Sequence, residues 1–310
     1  MNTRDLVSIA DPAAHPLASL DPPARLERLR ALLRALGRVV VAYSGGVDSS
    51  VLLAVAHAEL GAGALGVIGR SDSYAVAELE LALAQAAALG AAVRVVTTGE
   101  LSDPAFAANE TDRCYHCKSE LYRQLTAVAA DFGGAVIVDG TIADDLSDFR
   151  PGRRAAAERA VRSPLAELGF RKPDVRAAAA LLGLASRDKP ASPCLASRIP
   201  YGTPITREAL AMIETAESAL RALGFAELRV RHHGDVARLE LPAGGFARAL
   251  APACRAEIVA AVRAAGFRFV ALDLEGFRSG SLNRDVVSAA NDAVANDTGE
   301  KSGTVHGAGM

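Results

Sequence analysis

The chain has 310 residues, with 34 Lys and Arg against 36 Asp and Glu and a formal net charge of −2, so nothing in its charge points to a nucleic-acid partner. Half of the residues are hydrophobic and 23% are charged, enough apolar surface for one large core or two modest ones. Four cysteines are too few for a secreted disulfide scaffold of this length, and no signal-type or transmembrane-length apolar run is read, so a cytoplasmic protein with reduced thiols and no membrane partner is expected.

Residues 1–20 mix Pro, Asp and Ala without a period and read as a flexible arm. Leucines at 26, 29, 32, 33 and 36 predict a helix over Leu26–Leu36. From there strands and helices alternate: strand Val39–Tyr43, helix Asp48–Leu60, strand Ala64–Ile68, helix Tyr74–Leu89, strand Val93–Val96, a helix around Cys117–Ala130, and strand Ala135–Asp139. That alternation predicts an α/β domain over 21–205, a parallel sheet with helices on both faces. Residues 140–205 are rich in Asp, Arg, Pro and Gly, with short helices such as Pro173–Leu182. A helix from Thr206 to Leu223, strands at 227–232 and 236–241, a helix at 253–265 and a strand at 267–273 predict a small α+β domain over 206–283. Residues 284–310 are polar and Gly-rich and read as a disordered tail.

The first strand runs into Ser44-Gly45-Gly46-Val47-Asp48-Ser49-Ser50 and then a helix. Two glycines allow a tight turn, and the helix start offers unpaired N–H groups and partial positive charge, which suit phosphate. Ser44, Ser49 and Ser50 supply hydroxyls, and Asp48 supplies carboxylate oxygens for Mg²⁺. The bland alternative is a simple Ser/Gly helix cap. The loop lacks the Gly-Lys-Ser/Thr of the Walker A pattern and the third glycine of the dinucleotide fingerprint. It resembles instead the SGGxDS signature of the PP-loop ATP pyrophosphatases (the adenine nucleotide alpha hydrolase-like fold), which split ATP between the α- and β-phosphates. Ser71, after the second strand, and Asp139-Gly140-Thr141, after the fourth, reach the same sheet edge.

Cys114 and Cys117, three residues apart in RCYHCK, sit near a helix start that favours thiolate. Cys194, in a Pro-containing loop, offers a third sulfur. Zinc held with His116, a redox dithiol, an iron–sulfur cluster and mere helix packing all remain open on these residues alone. Cys254 has no partner nearby in sequence and reads as a small core residue.

Together with the loop, the stretches RCYHCK, DGT-ADD at 139–145, PCLASRIPYGTPIT at 193–206, ARLE at 237–240 and LDLEGFRSGSLN at 272–283 resemble the LarE family, in order over nearly all of residues 38–283. The resemblance implies an ATP-dependent sulfur transferase that adenylylates a carboxylate of pyridinium-3,5-biscarboxylic acid mononucleotide and makes a thiocarboxylate for the nickel-pincer nucleotide cofactor. It implies ATP, Mg²⁺ and a 4Fe–4S cluster on Cys114, Cys117 and Cys194, the open iron carrying sulfide from an outside donor. Another branch of the family instead sacrifices the cysteine of the CLASR segment. A homo-oligomer is also implied. One residue departs from the pattern: Ile142 stands where the family commonly has Asn, which puts a polar contact there in doubt.

Arg229 and Arg231 alternate along a strand and so share a face, suited to a substrate bearing phosphate and carboxylate. Glu217, Glu240 and Arg198 fall at family positions beside the same substrate, although surface charge is the plainer reading of the glutamates. The acidic run Asp144, Asp145 and Asp148, followed by Arg150 and Arg153, reads as a solvated loop or a Mg²⁺-orienting one. Rival readings are a PP-loop tRNA thiolase, an amide-forming synthetase, or a non-catalytic iron–sulfur or nucleotide sensor. The absence of a basic stripe, of stacking aromatics and of a glutaminase segment weighs against the first two.

Overall fold

Helix α1 (Pro22–Leu36) begins where Asp21 accepts a hydrogen bond from Ala24 N at 2.8 Å, and it buries the stripe Leu26, Leu29 and Leu33. The computed structural model describes residues 21–146, 151–190 and 192–278. The expected arm (1–20), the expected tail (284–310), Asp148 and Arg150 lie outside them. The chain divides into two compact units between Cys194 and Leu195. The sequence reading put this boundary at 205/206, so the cysteine of the CLASR segment and its Arg198 fall in different units.

In the N-terminal unit, β1 (Val39–Ala42), β2 (Ala64–Arg70), β3 (Val93–Thr97) and β4 (Val136–Val138) form a wholly parallel sheet in the order β3-β2-β1-β4. The helices are α2 (Val47–Leu60), α3 (Val76–Ala88), α4 (Pro104–Ala107), α5 (Arg113–Asp131), α6 (Gly152–Glu158), α7 (Pro164–Glu167) and α8 (Lys172–Leu181). Alternation along β1 sends Val39 and Val41 into a core with α1, α2 and α8, and Val40 into a second core with Tyr122, Leu125 and Val128 of α5. The expected helix-covered parallel sheet is therefore present. The chain moves from β1 outward through β2 to β3 and then returns to the other side of β1 as β4. The C-terminal end of β1 is thus the topological switch point, where open α/β sheets bind ligands.

In the C-terminal unit, α9 (Arg207–Ala222) precedes β5 (Arg229–His233), β6 (Val236–Glu240), α10 (Phe246–Leu250), α11 (Pro252–Ala264) and β7 (Phe269–Leu272). Strands β5 and β6 are antiparallel, joined at Gly234 with φ +61°, and β7 lies parallel to β6. Thr206 caps α9, whose Leu210, Ile213, Ala216 and Leu220 are buried. Cys254, expected in the core, is only partly buried at the start of α11. Among the described residues no helix is long and apolar enough to cross a membrane.

Candidate functional site

The Ser44–Ser50 loop lies at that switch point. Gly45 has φ +66°, and a Cβ there would lie 2.6 Å from Ala82 Cβ on α3, so only glycine fits. Ser49 Oγ accepts from Ser44 N at 3.2 Å, lies 3.2 Å from Ser44 Oγ and donates to Gly46 O at 3.1 Å, closing the turn on itself. Tyr74 OH donates to Ser44 O at 2.9 Å, and burial, with Glu78 nearby, raises its pKa. Ser50 is turned away: its hydroxyl faces Gln85 of α3, in the core. Gly140, after β4, permits close approach, since a Cβ there would sit 2.9 Å from Ser49 N. Asp139 beside it accepts from Tyr122 OH at 2.9 Å and Ser163 Oγ at 2.7 Å. Ser44, Gly45, Gly46, Asp48, Ser49 and Gly140 thus converge. Ser71 bonds to Ser73 at 3.0 Å, and Ser73 donates to the buried Glu100 at 2.9 Å.

Two lysines at the loop were missed in the sequence. Lys172, which opens α8, holds both oxygens of Asp48 at 2.8 and 2.7 Å. Lys189 donates to Gly45 O at 3.1 Å and pairs with Glu78 at 2.7 Å. They lie 124 and 144 positions from their loop partners, and no local pattern marks them. Ile142 is buried in the core behind the loop, so an apolar side chain suits that position. The Asp144 carboxylate accepts from Lys172 N at 2.8 Å and that of Asp145 from Ile142 N at 3.1 Å, so both serve the local backbone.

Helix α5 begins at Arg113, earlier than expected, and puts Cys114 and Cys117 in its first two turns. The helix start favours thiolate, and loss of hydration at the sulfurs acts in the opposite sense. Cys114 is an exposed residue, yet loss of hydration at its sulfur raises the thiol, and the Cys194 thiol adds to this. Burial raises Cys117 as well, with Glu100 and the other two thiols contributing. The three sulfurs therefore lie within one another's electrostatic reach. Among the described residues no three His, Cys, Asp or Glu side chains converge tightly enough to hold a single metal ion. His116 has Nδ1 3.3 Å from Asp103 and Nε2 3.5 Å from Asp112, which occupies both ring nitrogens and disfavours a zinc site using it.

In the C-terminal unit the glutamates are not surface charge. Glu217 and Glu240 are each 1% exposed. Arg198 grips Glu217 through Nε at 2.8 Å and Nη2 at 3.1 Å, while Val230 N and Arg221 donate to the same carboxylate. Burial pushes the Glu217 pKa up, but these donors prevail and hold it below the usual range. Arg231 grips Glu240 at 2.9 Å through both Nε and Nη2 and donates to Ser197 O at 2.6 Å. Arg229, 6% exposed, stacks 4.8 Å over Phe277 and donates to Arg278 O at 3.3 Å. It has no carboxylate partner among the described residues. Burial, then the charges of Arg231 and Arg198, lower its pKa. Three buried guanidinium groups face two buried carboxylates, so this cluster has the charge to receive an anion.

The chain is 46% identical over 260 residues to an uncharacterized protein of Synechocystis sp., which covers 84% of this chain and 97% of that protein. It is 41% identical over 262 residues to the pyridinium-3,5-bisthiocarboxylic acid mononucleotide synthase of Lactiplantibacillus plantarum, covering 84% of this chain and 94% of the synthase. An uncharacterized protein of Methanocaldococcus jannaschii is 29% identical over 242 residues, 78% of this chain and 91% of its own. No family model matches the chain. The identity to the synthase, over most of both chains, joins the loop geometry and the cysteine pattern in one conclusion: the chain belongs to the LarE family of ATP-dependent sulfur transferases.

Proposed function

We propose that the protein adenylylates a carboxylate of pyridinium-3,5-biscarboxylic acid mononucleotide and exchanges its oxygen for sulfur, a step toward the nickel-pincer nucleotide, in the cytoplasm. The observation that carries this reading is the SGGVDS loop at the switch point of a chain 41% identical to the synthase. A carboxylate oxygen of the substrate attacks the α-phosphorus of ATP, and the bond from that phosphorus to the bridging oxygen of the β-phosphate breaks. Pyrophosphate leaves with the electron pair. The loop amides, the hydroxyls of Ser44 and Ser49 and the start of α2 stabilise charge where it develops. Asp48 offers carboxylate oxygens of the kind Mg²⁺ takes in the first turn of α2. Sulfur from hydrosulfide then attacks the acyl carbon, the carbon–oxygen bond to AMP breaks, and AMP departs as the hydrosulfide proton is released.

Cys114, Cys117 and Cys194 would hold a 4Fe–4S cluster, which supplies an open iron able to carry sulfide. Arg229 binds the substrate's phosphate or free carboxylate. Arg231 and Arg198, anchored by Glu240 and Glu217, add positive potential and fix the CLASR backbone through Ser197. Exchange of labelled pyrophosphate into ATP tests the adenylylation step. Exchange is expected only when the pyridinium biscarboxylate is present, and exchange that ignores this substrate would sink the proposal.

A further inference from the structure

We infer that Lys172 is an exchangeable counter-ion of the loop, neutralising Asp48 in the free protein and moving to the departing pyrophosphate when metal-bound nucleotide enters. This rests on the reading of the loop as a nucleotide site. One ammonium occupies both Asp48 oxygens, at 2.8 and 2.7 Å. A divalent cation needs those same oxygens, so inner-sphere metal and Lys172 exclude each other. Left bare, the Asp48 carboxylate would repel a polyphosphate at the mouth of the anion cradle. The ammonium removes that repulsion until a metal does so.

The two lysines at the loop are built differently. The backbone of Lys172 is fixed by its N–H to Asp144 at 2.8 Å and by Pro173 in the first turn of α8, yet its side chain is 44% exposed. Its root is anchored while the four-carbon arm swings. Lys189 is 11% exposed and bridges Glu78 and Gly45 O, so it belongs to the loop's fixed wall. Once released from Asp48, the Lys172 ammonium stays within arm's length of phosphates seated on the α2 N-terminus, with three donors free for them.

The test uses the full chain, with Mn²⁺ alone followed by electron paramagnetic resonance and Mg²⁺–pyrophosphate followed by calorimetry. Lys172→Met is expected to tighten Mn²⁺ binding several-fold and to weaken Mg²⁺–pyrophosphate roughly tenfold, the loss of one charge-assisted contact. Weakening of both ligands, or a change in neither, overturns the exchange. Lys172→Arg, which keeps the charge, serves if the Met variant does not fold. It should bind Mg²⁺–pyrophosphate within about threefold of wild type, and a tenfold loss overturns the inference. Wild-type protein that binds neither ATP nor pyrophosphate refutes the nucleotide site itself. Wild-type binding with an unaffected Lys172→Met variant refutes only the exchange.

Discussion

The two loop glycines look equivalent in sequence but should respond very differently to the same substitution. Alanine at position 45 must adopt φ +66°, and its Cβ would lie 2.6 Å from Ala82 Cβ and 3.0 Å from Ala82 Cα, so backbone has to move. The left-handed conformation costs about 1–2 kcal/mol and the overpacking about 1–3 kcal/mol. At about 2–4 °C per kcal/mol for a unit of this size, Gly45→Ala should lower its melting temperature by roughly 4–20 °C. Gly46 has φ −75°, and a Cβ there meets only Ser44 Oγ at 3.5 Å. Gly46→Ala should therefore stay within about 0.5 kcal/mol of wild type. Thermal unfolding followed by circular dichroism decides between them. Equal melting temperatures for the two variants, or a larger fall for Gly46→Ala, would refute the assigned loop geometry.

Other outcomes follow from the two clusters. Glu217 has a depressed pKa, so its contribution to stability is full above the ordinary carboxylate value of 4.5 and is lost as pH falls through the lower folded value. Glu217→Gln strands Arg198 and should destabilise the C-terminal unit by about 3–5 kcal/mol at neutral pH. The gap from wild type should narrow near pH ~3 in urea titrations, and a gap independent of pH would contradict the pairing. Cys194→Ala should abolish thiocarboxylate formation while leaving pyrophosphate exchange within about twofold; equal loss of both would make the cysteine structural. Arg229→Met should weaken binding of the pyridinium mononucleotide by roughly tenfold or more and leave ATP affinity unchanged by calorimetry. Protein isolated without oxygen should contain iron and acid-labile sulfide, and zinc in their place would remove the cluster.

What the sequence made legible was local. The valines of β1, the leucine stripe of α1 and the glycines before α2 each carry their structural reason within a few residues. The short helices Pro104–Ala107, Gly152–Glu158, Pro164–Glu167 and Phe246–Leu250 lack a full apolar period, so their bounds are not legible in the sequence. Glu217 and Glu240 look like surface charge until a fold brings Arg198 and Arg231 to them. Lys172 and Lys189 are tied to the loop across more than half the N-terminal unit, a distance over which a single sequence carries no signal. At Cys114 and Cys117 the helix start is legible locally, whereas the loss of hydration that raises both thiols comes from residues packed on them in the fold.

The most direct measurement supplies ATP, Mg²⁺, sulfide and pyridinium-3,5-biscarboxylic acid mononucleotide to anaerobically prepared protein and follows products by mass spectrometry. A substrate with oxygen replaced by sulfur is expected, formed in step with AMP and pyrophosphate. ADP and phosphate as the nucleotide products, or pyrophosphate release with the substrate's carboxylates unchanged, would contradict it.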